Sequence, residues 1–209
     1  MIYIKEACVE SVNEAVKAEE LGADRIELCK DLDVDGLTPD FSIIREVSKK
    51  VKIPMRVMIR PRTGNFVYSE DEIHLMIKQI EQCKQIGVAG VVFGVLNEDR
   101  KLDLKAINRL IKITLPMDVV IHKAIDVTPN IFESVKVLES LNQKLTILTS
   151  GGKATAEESK EDLKLLVNTV NNNIEILPAG SITKYNVEAL HNFIGAKAYH
   201  GKKIVGDLN

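Results

Sequence analysis

Short apolar runs alternate with amphipathic stretches from one end of this 209-residue chain to the other. The runs fall near residues 2–8, 24–29, 55–60, 88–93, 117–122, 144–149, 173–178 and 195–199. They are rich in Val, Ile and Leu and recur at roughly the spacing of a βα unit. The stretches between them read as helices. Ser11–Glu14, Ser69–Glu72 and Thr155–Glu158 have the form of capping boxes. Thr38-Pro39 and Thr128-Pro129 place a cap residue before a proline at the first helical position. Gly22, Gly87 and Gly195 fit C-terminal stops. Eight such units predict an α/β fold, a TIM-type (β/α)8 barrel forming one domain over residues 1–209. A doubly wound open sheet is the alternative, but it usually has fewer strands. After the eighth run only Gly201 to Asn209 remain, so the eighth helix is expected to be incomplete.

The first three runs carry polar residues on alternate positions. Side chains two apart in a strand share a face. Glu6 and Cys8 therefore lie together, as do Arg25, Glu27 and Cys29, and Arg56, Met58 and Arg60. The opposite face of the second and third runs is apolar: Ile26 and Leu28, Val57 and Ile59. If helices cover that face, charges and thiols point into a shared interior, where they must be paired or used. Active sites of such barrels lie at the C-terminal ends of the strands. Cys8, Cys29, Arg60, His122, Ser150 and His200 fall at or just after those ends.

Composition narrows the function classes. The chain is 45% hydrophobic and 28% charged with net charge −2, which excludes no globular fold but argues against a nucleic-acid partner. No apolar stretch is long enough to cross a bilayer, and no leader peptide is expected. Three cysteines (Cys8, Cys29, Cys83) without a CxxC motif fit a reducing cytoplasm.

Strands in a sheet lie ~4.8 Å apart, so thiols of Cys8 and Cys29 at matching heights can share one soft ion, with thioether help from Met58. The same thiols also fit as small buried hydrophobes, which is the reading for Cys83. Glu6, Arg25, Glu27 and Arg60 form either a structural ion-pair network or an acid/base pair flanked by guanidiniums. Arg60 and Arg62 stand at a strand exit suited to a carboxylate or phosphate. His122 shares parity with Val120 and faces inward, with Asp126 placed to orient it or to reach the same cleft. His74 and His191 are read as solvent-facing. The glycine loops at Thr149–Gly152 and Pro178–Ser181 can bind an anion or simply turn the chain.

These motifs resemble the CutC copper homeostasis family. The resemblance is carried by Glu6-Ala7-Cys8, Gly22–Cys29, Gly36-Leu37-Thr38-Pro39, Val57–Arg62, Phe66–Ser69, Phe93–Leu96, His122–Asp126 and Leu148–Gly152, in order and up to His200-Gly201. It implies a TIM-like barrel, a cytoplasmic location, a role in copper handling, and Cys8 and Cys29 as Cu(I) ligands. The residues matching the family's polar cleft are Glu6, Arg25, Glu27, Arg60, Arg62, His122 and Asp126. The chain departs at Lys123, where the family usually has Arg, and at Ala179, within its Pro-Gly-Gly-Gly motif. Two functions follow as expectations. One is a Cu(I)-binding protein of copper homeostasis, homo-oligomeric and without a nucleic-acid or membrane partner. The other is a barrel enzyme acting on a small anionic metabolite, with Glu27 or His122 as base, Asp126 in support, and Glu6, Arg25, Arg60, Arg62 and Ser150 around the substrate.

Overall fold

The computed structural model describes residues 3–208. Eight parallel strands alternate with seven helices among them: β1 (Ile4–Val9), α1 (Val12–Glu20), β2 (Arg25–Leu28), α2 (Phe41–Lys50), β3 (Met55–Met58), α3 (Glu70–Ile86), β4 (Gly90–Phe93), α4 (Leu104–Thr114), β5 (Asp118–Ile121), α5 (Ile131–Glu139), β6 (Leu145–Thr149), α6 (Lys160–Thr169), β7 (Ile174–Pro178), α7 (Val187–Ile194) and β8 (Ala198–Gly201). Each strand pairs with its sequence neighbour, and β1 also pairs with β8. β7 packs beside β8 without a ladder, so the TIM-type barrel is nearly closed. No helix follows β8 among the described residues, as the short tail predicts. Ile2, where the first run was expected to begin, lies outside the described residues. No helix among them is long and apolar enough to cross a membrane.

The alternation along the strands sorts the side chains as expected. Ile26, Leu28, Val57 and Ile59 face the helices in one large apolar layer, and each is fully buried. Burying such a side chain contributes about 1.5–3 kcal/mol. The opposite parity fills the barrel. Cys8, Cys29, Met58, Val92, Val120, Leu148 and Leu177 form a separate interior cluster.

Of the five helix-start signals read from the sequence, Ser11 and Ser69 cap the helices expected of them and the other three do not. Ser69 and Glu72 form the full reciprocal box at α3. Ser69→Ala is expected to cost about 1 kcal/mol in urea unfolding. An unchanged midpoint would show that the box is redundant. Ser11 caps α1, but the Glu14 carboxylate accepts from the Glu10 N–H instead of closing the box. Thr155 and Glu158 do exchange hydrogen bonds, yet they close a turn, and α6 begins at Lys160. The two Thr-Pro pairs lie ahead of their helices. Asn130 takes the cap of α5, accepting from the Phe132 and Glu133 N–H groups. Thr38 instead accepts the Arg60 N–H at 2.9 Å, tying the β2 loop to the end of β3.

His191 is buried, not solvent-facing. Val187, Leu190, His191 and Ile194 make one helical stripe, and the ring packs against Tyr3 and Tyr199. His74 is exposed as expected.

A charged floor closes the lower barrel. Glu6 accepts from Arg25 and, at 3.0 Å, from Arg56 Nη1. Arg56 crosses the interior to Asp118 (3.2 Å) and Thr146 (3.4 Å). Gly90 makes that crossing possible, since a Cβ there would sit 2.7 Å from Asp118 Cβ and 3.3 Å from Arg56 Cγ.

Candidate metal and ligand site at the barrel mouth

A cleft of about 500 Å³ opens above this floor at the C-terminal ends of the strands. Cys8, Glu27, Cys29, Met58 and His200 line its base. In register, Cys8 is the Cα partner of Glu27, not of Cys29. The two cysteines are thus offset by one interior position, a correction to the expectation of matching heights. Their sulfurs still meet diagonally at 3.8 Å. Cys29 donates to Glu27 Oε1 at 3.2 Å. His200, supplied by β8, places Nδ1 2.9 Å from Glu6 Oε1 and 3.9 Å from Glu27 Oε2. Ligand atoms of Cys8, Glu27 and His200 all lie within 4.8 Å of one another, and all three residues are buried.

Burial and neighbouring charge divide these groups. The Cys29 thiol beside it, with the hydrogen bond and charge of His200, pulls Cys8 down to about 6 despite burial. The Cys29 thiol, next to Cys8 and out of water, is pushed well up and keeps its proton. Burial raises Glu27 to about 7, with the Cys8 and Glu6 charges acting in the same direction and His200 against them. Burial opposes charge on His200, but Glu27, Cys8 and Glu6 together raise it well above its ordinary value. Glu6 is held down to about 2: the His200 hydrogen bond and the charges of Arg25, His200 and Arg56 outweigh its desolvation.

Higher in the cleft, His122 follows β5 and caps a 3-10 turn over Lys123–Val127. Its Nδ1 accepts the Ala124 N–H at 3.1 Å. Asp126 does not orient this ring. Its carboxylate accepts from the Thr149 hydroxyl, from the Ser150 N–H and Oγ (both 2.9 Å) and from the Gly152 N–H (3.0 Å). It thereby fixes the glycine loop after β6, and Asp126 and Ser150 both line the cleft.

Arg60 also lines the cleft, but its guanidinium is buried and holds loops. Nη1 donates to Val34 O (2.6 Å) and Gly36 O (3.0 Å), Nη2 to Gly64 O (3.3 Å), and the plane lies over Phe66. Arg62 points away, paired with Glu72 and stacked on Tyr68. Glu6 and Arg25 belong to the floor. The structure therefore brings Cys8, Glu27, Cys29, His122, Asp126, Ser150 and Arg60 to one cleft, and leaves Glu6, Arg25 and Arg62 outside its lining. His200, placed by sequence at a strand end but given no role there, joins the base of the cleft; its parity with Ala198 on the last strand is the signal for its inward direction.

Comparison with known proteins agrees with this architecture. The CutC family model matches residues 3–205. The human copper homeostasis protein cutC homolog is 38% identical over 198 residues, covering 95% of this chain and 72% of its own. A CutC family protein of Xanthomonas campestris pv. campestris (strain 8004) is 38% identical over 200 residues, covering 93% and 81%. The crystal structure from Streptococcus agalactiae assigned as copper homeostasis protein CutC superimposes with a TM-score of 0.90 at 32% identity, over 97% of this chain and 100% of that one. A dihydrodipicolinate synthase from Bacillus anthracis, 15% identical with a TM-score of 0.63, shares the fold alone; the match covers 95% of this chain and 69% of that one.

Proposed function

The chain belongs to the CutC family of copper homeostasis proteins, and from that premise we propose that it binds Cu(I) between Cys8 and Cys29 as part of cytoplasmic copper handling. The observation that carries the reading is the pair of buried sulfurs 3.8 Å apart. Soft thiolates select Cu(I) over harder ions. Two metal–sulfur bonds of ~2.3 Å subtend roughly 3.8–4.0 Å when bent at a tetrahedral or trigonal centre, and roughly 4.6 Å when linear. The spacing therefore favours a bent site with a third ligand. His200 fits that role. Its Nδ1 is engaged by Glu6 at 2.9 Å, the carboxylate–imidazole arrangement that commonly orients a metal-binding histidine. The copper here is cargo, and both thiols must lose their protons to take it.

Competition titration against a Cu(I) chelator tests the site. Replacing both cysteines (Cys8→Ser with Cys29→Ser) is expected to weaken binding more than about 100-fold, beyond the loss from an outer-shell partner. His200→Ala should weaken it by about tenfold or more. Cu(I) held by the double variant as tightly as by the parent would sink the reading. Weaker binding in Met58→Leu with no change in His200→Ala would transfer the third position to the thioether.

A further inference from the structure

The copper reading uses only the base of the cleft. A cleft of about 500 Å³ is far larger than one ion and lies within the range of small-molecule sites. Above the thiols, His122 is 4% exposed, and its Nε2 has no hydrogen-bond partner. A backbone N–H can only donate, so the Ala124 contact makes Nδ1 the acceptor and leaves the ring proton on Nε2. The result is a buried, neutral N–H donor without a partner in a residue that lines the cleft. An unsatisfied donor of this kind costs about 1–3 kcal/mol, so its retention calls for an acceptor.

Its surroundings define that acceptor. Phe66 packs on the imidazole with ring centroids 5.0 Å apart, and Ala124 and Leu148 add apolar wall. Glu27 lies at the base of the same cleft, and the cations there already hold other acceptors, His200 on Glu6 and Arg60 on the Val34, Gly36 and Gly64 carbonyls, so a full negative charge placed deep would meet a carboxylate. The rim is different. Lys123, Lys153 and Lys202 line the opening and are exposed, as is one carboxylate, Asp35, so the lysines outnumber the acid there. Lys153 and Lys202 also pair with Asp162 and Glu10 respectively. A neutral donor inside and ammonium groups outside match a molecule with a neutral oxygen at one end and an anionic group at the other.

We propose that this cleft binds a small oxo- or hydroxy-acid, its carbonyl or hydroxyl oxygen accepting from His122 Nε2–H and its carboxylate facing the lysines at the rim. Gly94 is part of the design. A Cβ at that position would stand 2.6 Å from both Cε1 and Nδ1 of His122, so only glycine lets the ring occupy its place. Burial, with the Arg60 charge nearby, holds His122 down to about 3, so the ring stays a neutral donor across the physiological range. The site does not depend on copper.

The test uses the full chain, freed of copper, with imidazole proton–nitrogen NMR and two probes, 2-oxoglutarate and L-malate. His122→Phe identifies the signal. The expected result is a proton on Nε2 at neutral pH and a saturable shift of that resonance with at least one probe at millimolar concentration. Gly94→Ala, which keeps the histidine but displaces it, should abolish the shift. Lys123→Glu should weaken the apparent affinity several-fold by reversing a rim charge. A proton on Nδ1, or no saturable shift with either acid, would overturn the proposal, and so would the same affinity for the acids in parent and folded His122→Phe measured by calorimetric titration. The last two would leave an interior water as the only partner of Nε2.

Discussion

Glu6→Gln is expected to lower the unfolding free energy by about 3–5 kcal/mol, the cost of removing one member of a buried ion pair. Glu6 is fully buried and serves three cationic groups at once: Arg25, Arg56 and His200. Arg56 keeps Asp118 as a second partner, but that carboxylate is 59% exposed and screened. Among the described residues Arg25 makes no other ion pair. The amide fits the same space, so the loss isolates charge from packing. Urea unfolding measures it; a change within about 0.5 kcal/mol, the size of an ordinary surface substitution, would show that the floor is held by packing alone. The pH dependence has a defined sign. The folded Glu6 value of about 2 lies below the ordinary 4.5. Its contribution is therefore complete above pH ~4.5 and disappears as pH falls towards 2.

His122 produces the second large effect, at higher pH. Its folded value of about 3 lies below the ordinary 6.5, because burial and the Arg60 charge disfavour imidazolium. Between those values the unfolded chain binds one more proton than the folded chain. Stability contributed by keeping this ring neutral is complete above pH ~6.5 and falls by about 1.4 kcal/mol for each unit below it. From pH 6 to 4 the parent is expected to lose about 2.5 kcal/mol more than His122→Phe, which has no proton to take up at that position. Equal acid slopes for parent and variant would contradict the buried, neutral imidazole. The two effects separate in pH: His122 acts from about 6.5 downwards, and Glu6 only below about 4.5.

Much of the barrel was legible in the chain because burial imposes a period of two on strands. Ile26 and Leu28 against Arg25 and Glu27 declare which face meets helices, and the structure obeys that division. Eight repeats set the strand count. Helix starts were less legible. Thr38-Pro39 has the right cap chemistry, yet tertiary contact claims its hydroxyl for the Arg60 N–H. His191 reads as polar by residue type, but three apolar residues on the same helical stripe carry it into the core with them.

The candidate site divides along the same line. Which residues reach the mouth follows from strand parity, and the sequence alone determined this for Cys8, Cys29, Glu27 and His122. What each can do there was decided by neighbours distant in the chain. Barrel stagger offsets Cys8 from Cys29 yet leaves their sulfurs 3.8 Å apart. Arg60 Nη1 and Nη2 are engaged by carbonyls of Val34, Gly36 and Gly64, which no spacing rule reveals. His200 joins Glu6 across 194 positions because β8 pairs with β1. Parity is local, set by the geometry of a single strand, so the sequence carries it. Height within the barrel, partner and protonation depend on register and closure, and these exist only once the eight strands have come together.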